Sequence, residues 1–206
     1  MGYSLSASAD NCYKGTTCLI NKFDIRDEKL LAETEADITF VKSVMLDNNP
    51  IEGCFDFEHY KAIHRFLFCD IYDWAGEIRT VNISKKGTAF AEADSIERIA
   101  TACFKRITSG CLEDLPHDEF AAEIADLYDT INRLHPFREG NGRTERIFFT
   151  DLIRKYGYDI QFTEENVDLL MIATIQAAQG VLDYLIQFFT NEIVEPDQKQ
   201  DLGKIL

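Results

Sequence analysis

Apolar residues recur at helical spacing along most of this chain. Leu30, Leu31, Ile38, Val41 and Val44 trace one helix, which Asp27 can cap and which ends by Asp47-Asn48-Asn49-Pro50. Asp56 can cap the next, where Tyr60, Ile63, His64, Leu67 and Phe68 are spaced for a core face. A third opens with Asp94 and Glu97 in a capping-box arrangement and turns Ile96, Ile99, Cys103, Phe104 and Ile107 inward. Pro116 introduces a fourth, with Phe120, Ile124, Leu127, Tyr128, Ile131 and Leu134 in one stripe. A fifth starts just after Asn141 and carries Phe148, Phe149 and Leu152 to Gly157, a natural stop. Thr163 caps a long apolar helix, interrupted at Gly180 and resumed to about Asn191.

One segment breaks this pattern. Glu77 to Ile83 alternates apolar and polar with β-branched residues, and after Ser84-Lys-Lys-Gly87 the chain resumes at Thr88-Ala-Phe90. That is a β-hairpin inside a helical protein. A lone hairpin is marginally stable, so its presence points to a use rather than to the core.

The 206 residues fit one domain, and 46% hydrophobic with 12% aromatic residues marks a globular chain. A net charge of -15 argues against general binding to nucleic acid or to anionic membranes, both of which reward basic patches. Positive charge is instead concentrated locally, at Arg138, Arg143 and Arg146. The six cysteines form no CxxC pair and read as reduced thiols of a cytoplasmic protein. No apolar run approaches the roughly 20 residues needed to span a bilayer.

The densest chemistry lies between Leu134 and Arg146. His135, where the fourth helix ends, can act as a general base near neutral pH. Gly140-Asn141-Gly142 opens the fifth helix, where backbone N–H groups and the helix dipole favour an anion. Arg143 and Arg146 share one face of its first turn and can reach along a phosphate chain. Glu139 offers the hard oxygen that Mg²⁺ on a polyphosphate prefers. Together these are the parts for transferring a phosphorus group, with Pro136 and Phe137 left to packing and to the turn. His64, on an apolar helix face, reads as a satisfied core histidine.

The string from His135 to Arg146 also resembles, at every position, the His-Pro-Phe-x-Glu-Gly-Asn-Gly-Arg-x-x-Arg signature of Fic-domain proteins. Tyr72 to Arg79 and Asn82 to Lys85 are similar to the stretch leading into that family's flap, so the likeness spans about Asp56 to Asn191. It implies a mainly α Fic (Fido) helical bundle with a β-hairpin flap over the active site. Residues 1–55 would be an N-terminal extension and helix packing on the core, 56–191 the Fic domain, and 192–206 a polar C-terminal tail.

The resemblance further implies a protein adenylyltransferase. His135 would deprotonate a target hydroxyl (Tyr, Thr or Ser), which attacks the α-phosphate of ATP while pyrophosphate leaves. Glu139 would hold Mg²⁺ on the α- and β-phosphates. The backbone of Gly140, Asn141 and Gly142 would bind the anion with help from the Asn141 side chain, and Arg143 and Arg146 would take the outer phosphates. Ile83, Ser84, Lys85 and Lys86 would lie near the nucleotide and dock the target protein by strand addition.

Many Fic proteins are restrained by a Ser/Thr-x-x-x-Glu-Gly/Asn helix whose glutamate meets the second signature arginine, here Arg146. Thr190 to Glu195 has one residue too many and runs into Pro196, and Ser109 to Glu113 fits the spacing but is followed by Asp114 mid-chain. The expectation is therefore a separate small antitoxin that supplies the inhibitory glutamate, in a toxin–antitoxin pair. The competing readings keep the fold with another donor or reaction (phosphotransfer, other nucleotide transfer, de-AMPylation) or make it a catalytically idle nucleotide-binding module. Gly142 disfavours the kinase-like Doc branch, which has lysine there. The expected location is cytoplasmic, with secretion into a host cell as an effector left open.

Overall fold

A computed structural model of the chain describes residues 4–5, 11–85 and 88–196. Seven helices and three short strands are seen among them: α1 (Glu28–Asn48), α2 (Phe57–Phe68), α3 (Ile96–Thr108), α4 (His117–Leu134), α5 (Asn141–Lys155), α6 (Glu164–Ala178), α7 (Asp183–Glu192), and β1 (Ser4–Leu5), β2 (Ile83–Lys85) and β3 (Thr88–Ala89). Asp27 caps α1 by accepting from Leu30 N at 2.9 Å, and Asp56 caps α2 by accepting from His59 N at 2.8 Å. Thr163 and Asn166 close a reciprocal capping box on α6. Gly180, at φ +92°, separates α6 from α7.

The core is built from aromatic rings on α2, α3, α4, α5 and α7. Phe148 of α5 meets Tyr60 of α2, Phe104 of α3 and Phe55 edge to face, and Tyr128 of α4 packs between Phe149 and Phe189. Each large apolar side chain so buried contributes roughly 1.5–3 kcal/mol. This packing fixes the end of α4 beside the start of α5, where the signature string lies.

Three sequence expectations need correction. In α1, Leu30, Val41 and Val44 are half-exposed, and the buried residues are Leu31, Glu35, Thr39 and Leu46. The helix packs by one edge against α2 and α5, so its buried stripe is set by what those helices offer it. The capping box at Asp94 does not form: a short 3₁₀ turn, Ala93–Ser95, precedes α3, and Ala93 N donates instead to Asn82 Oδ1 at 2.8 Å.

The hairpin is also shorter than expected. Glu77 to Val81 is no strand, because Arg79 N donates to Pro136 O at 2.9 Å and ties this stretch to the signature loop. Nor does the hairpin stand alone, since β1 pairs antiparallel with β2 and gives the order β1-β2-β3. Ser4 lies opposite Ser84 and Leu5 opposite Ile83, while Ser84 faces Ala89 and Lys85 faces Thr88. At the other end, Val194 bridges to Asp159; the rest of the expected polar tail, 197–206, lies outside the described residues. All six cysteines are free thiols, and among the described residues no helix is long and apolar enough to cross a membrane.

Candidate active site

His135 ends α4 in a left-handed backbone conformation, φ 45° and ψ 60°, which a residue with a Cβ adopts at a cost of about 1–2 kcal/mol. Buried Arg79 holds it there. Its Nε donates to His135 O at 2.8 Å, Nη1 to Val81 O at 2.7 Å and Nη2 to Ala91 O at 2.5 Å, so one guanidinium ties the flap's base to the loop. The imidazole Nδ1 lies 3.0 Å from Asn132 O. A carbonyl can only accept, so Nδ1 carries the hydrogen and Nε2 the lone pair. Phe90 stacks flat on the ring, 3.7 Å between centroids at 9°. Burial drives the His135 pKa down to about 3, and the charges of Lys85 and Arg79 push the same way against the Asn132 carbonyl. The ring is therefore neutral, in its base form, at physiological pH.

The loop that follows is locked from below. Phe137 is fully buried and stacks on His64 at 3.8 Å. The Asn141 amide spans the turn, accepting from Phe137 N at 2.8 Å and donating to Phe137 O at 2.9 Å. Gly140 has φ +80°, and a Cβ there would lie 2.2 Å from the Phe68 ring, so only glycine fits. His64 is the satisfied core histidine that its apolar face suggests, and it also positions the site. Gly76 N donates to its Nδ1 at 2.8 Å, so Nε2 donates to Glu139 O at 3.0 Å.

At the start of α5, helix geometry leaves the amides of Asn141, Gly142 and Arg143 without an intrahelical acceptor. Glu139 Oε1 accepts from Gly140 N at 2.9 Å. Burial, then the nearby Glu35 charge, raises the pKa of Glu139, opposed by the Gly140 amide, Arg143 and Lys85. The Arg146 guanidinium folds back over the first turn, with Nη1 3.4 Å from where a Cβ on Gly142 would be.

His135, Glu139, Gly140, Gly142, Arg143, Arg146 and flap residue Lys85 line one cavity of about 390 Å³. Val167, Leu170, Met171 and Ile175 of α6 form its apolar wall. A second hollow, of about 720 Å³, runs between α1, α5 and the start of α6, and Arg143 and Arg146 border both. Ile83 is buried, Ser84 is half-buried, and Lys86 lies outside the described residues.

The structure changes the part that Asn141, Arg138 and Arg143 play. The Asn141 side chain is spent on the Phe137 backbone, so only its amide is available at the helix start. Arg138 is buried and points away, toward Cys12 Sγ at 3.6 Å, which removes it from the local positive charge. Arg143 lines the cavity together with Arg146 and also reaches α1, where it pairs with Glu35. Glu35, Arg79, Phe90 and the α6 wall escaped the sequence reading, since each reaches the site across a long span of chain.

A buried imidazole base, a carboxylate and a helix-start anion cradle on one cavity define a site for chemistry at a phosphorus centre. Residues 54–153 match the Fic/DOC family, and the chain belongs to it. It is 35% identical over 179 residues to the probable protein adenylyltransferase y4lH of Sinorhizobium fredii, covering 83% of this chain and 88% of that one. It is 33% identical over 181 residues to the protein adenylyltransferase VbhT of Bartonella schoenbuchensis, covering 87% of this chain but 38% of VbhT. Among solved structures, the BepC effector of Bartonella tribocorum, with bound AMPPNP, superposes with a TM-score of 0.83 at 28% identity, over 91% of this chain and 97% of that one.

Proposed function

We propose that this chain is a protein adenylyltransferase that moves AMP from ATP to a hydroxyl side chain of a target protein and releases pyrophosphate. The observation that carries this reading is the shared cavity, in which a neutral His135 and the opening turn of α5 face the same volume. His135 Nε2 takes the proton of the target hydroxyl, whose oxygen bonds to the α-phosphorus as the bond to the β-phosphate oxygen breaks. The triphosphate lies along the amides of Asn141, Gly142 and Arg143, with Arg143 and Arg146 on its outer phosphates. Its negative charge offsets the positive neighbours that depress His135, so the base gains proton affinity when the nucleotide arrives. The α6 wall suits the base and ribose.

Glu139 fits Mg²⁺. No group of three metal-binding side chains exists among the described residues, and Mg²⁺ on a nucleotide takes one or two carboxylates with phosphate and water oxygens. When bound, the ion would neutralise charge building on the leaving pyrophosphate.

Residues 56–191 form the catalytic unit in this reading, with α1 packed on it. The target docks as an extended segment along Ile83, Ser84, Lys85 and Lys86. Control comes from a second, small chain whose glutamate reaches Arg146, a residue that borders the hollow beside α1. The pair would then work as toxin and antitoxin.

Incubation with ATP labelled at the α-phosphate and a cell lysate tests the reaction. Labelled protein is expected, with labelling cut by ~10²–10⁴ in His135→Ala; no label, or label indifferent to His135, sinks the proposal. Label from the γ-phosphate instead would assign phosphotransfer. Expression that slows growth only when His135 is intact supports the toxin role, and harmless expression of an active enzyme discards it.

A further inference from the structure

α1 lies before residue 54, where the family match begins, yet it reaches the site. Its buried stripe is Leu31, Glu35, Thr39 and Leu46, half of it polar. Burying a carboxylate on a helix that could have presented leucine is costly unless it is paired, so the pairing should have a purpose. Glu35 Oε1 bonds Arg143 Nη2, and its Oε2 accepts from Tyr72 OH at 2.5 Å. One turn along, Thr39 Oγ1 accepts from Arg143 Nη1 at 3.0 Å, while Phe68 lies under the guanidinium, 4.9 Å from its ring centroid. Glu139 stands 3.9 Å off on the cavity side. Glu35 thus has both oxygens engaged, and Arg143 is gripped on one edge while its other edge lines the cavity.

We infer that Glu35 is a positioning residue for nucleotide binding: with Thr39 and Tyr72 it orients Arg143 so that the guanidinium's remaining donors face the phosphates. An arginine left to itself on a helix surface samples many rotamers, and each must be frozen out when a phosphate binds. Holding the fork in advance removes that cost at the moment of binding. The inference rests on the adenylyl-transfer reading only for the identity of the ligand.

The test is a double-mutant cycle on the intact chain, reading the Kd of Mg·ATP by calorimetry beside α-phosphate labelling. Glu35→Gln is expected to raise Kd roughly tenfold, with a smaller rise in Tyr72→Phe, while kcat changes little. Thermal melting establishes that both variants are folded. In an Arg143→Ala background, Glu35→Gln should change Kd no further, whereas a merely structural loss would add in full.

Tighter ATP binding by Glu35→Gln would overturn the inference, since Glu35 would then be competing for Arg143. An equal effect with and without Arg143 overturns it as well. So does an Arg143→Ala chain that binds ATP like the parent, because no phosphate contact would remain to be positioned. A parent that shows the coupling but transfers no AMP removes the transferase reading and leaves this one standing; labelling without coupling does the reverse.

Discussion

The signature loop and the flap lie on either side of the same imidazole, and they are held in opposite ways. From His135 to Gly142 nearly every degree of freedom is fixed from beneath: Arg79 grips the His135 carbonyl, the Asn141 amide spans Phe137, His64 holds Glu139 O, and Phe68 fills the space beside Gly140. The flap is two strands of three and two residues, with Ile83 buried and Ser84 and Lys85 half-exposed. The contrast suits the proposed division of work. A proton transfer in line with a phosphorus centre would need atoms fixed to within a few tenths of an ångström, whereas a strand that receives a target would need an edge that can be freed.

The sharpest way to break this contrast is to disturb the loop from below. Gly140→Ala would add a Cβ at positive φ against the Phe68 ring, and a loss of roughly 2–5 kcal/mol in urea unfolding, with loss of labelling, is expected. If the variant unfolds like the parent, the loop is not locked as described. Asn141→Ala comes next. It strands the N–H and C=O of buried Phe137, and about 1–3 kcal/mol should be lost.

Acidification probes the same region more gently. His135 has a folded pKa of about 3 against about 6.5 unfolded. Between those values the unfolded chain binds more protons, so this residue's contribution makes stability fall as pH drops from 7 toward 5. Urea titrations at both pH values should therefore show the parent losing more stability than His135→Ala; equal losses would mean the ring is not buried neutral. The smallest stability change is expected on the flap. Ser84→Pro deletes one ladder donor from β2, and melting should barely move, with Mg·ATP affinity intact while target labelling is lost. Retained labelling would take target docking away from this strand.

Local chemistry was the legible part. Asp27, Asp56 and Thr163 announced their helices because a cap acts within three residues, and the His135 to Arg146 string could be read whole because its working parts are adjacent. α1 misled for the complementary reason. Its apolar residues at Leu30, Val41 and Val44 suggested a core face, but its environment was set by Arg143, 108 positions beyond Glu35. No spacing rule reaches that far. Glu77 to Val81 alternates like a strand, yet Arg79 is occupied by the carbonyls of the loop and of the flap's far side. Arg143 and Arg146, one helical turn apart, do line one cavity, but the pairing of Arg143 with a buried carboxylate on another helix could not be read from the string.

The three-stranded order β1-β2-β3 bears on how a target is admitted. The outer edge of β2 is already paired, with Ser4 opposite Ser84 and Leu5 opposite Ile83. On the proposed docking, a segment laid along Ile83 and Ser84 would enter as a replacement, in a contest with a rival on the same chain whose effective concentration is on the order of millimolar. Affinity for a target strand is then a difference between two pairings, and the weaker the native one, the lower the threshold an incoming sequence must clear. Shortening the chain ahead of Cys12 should lower that threshold for every target alike, leaving the chemistry at His135 as it was.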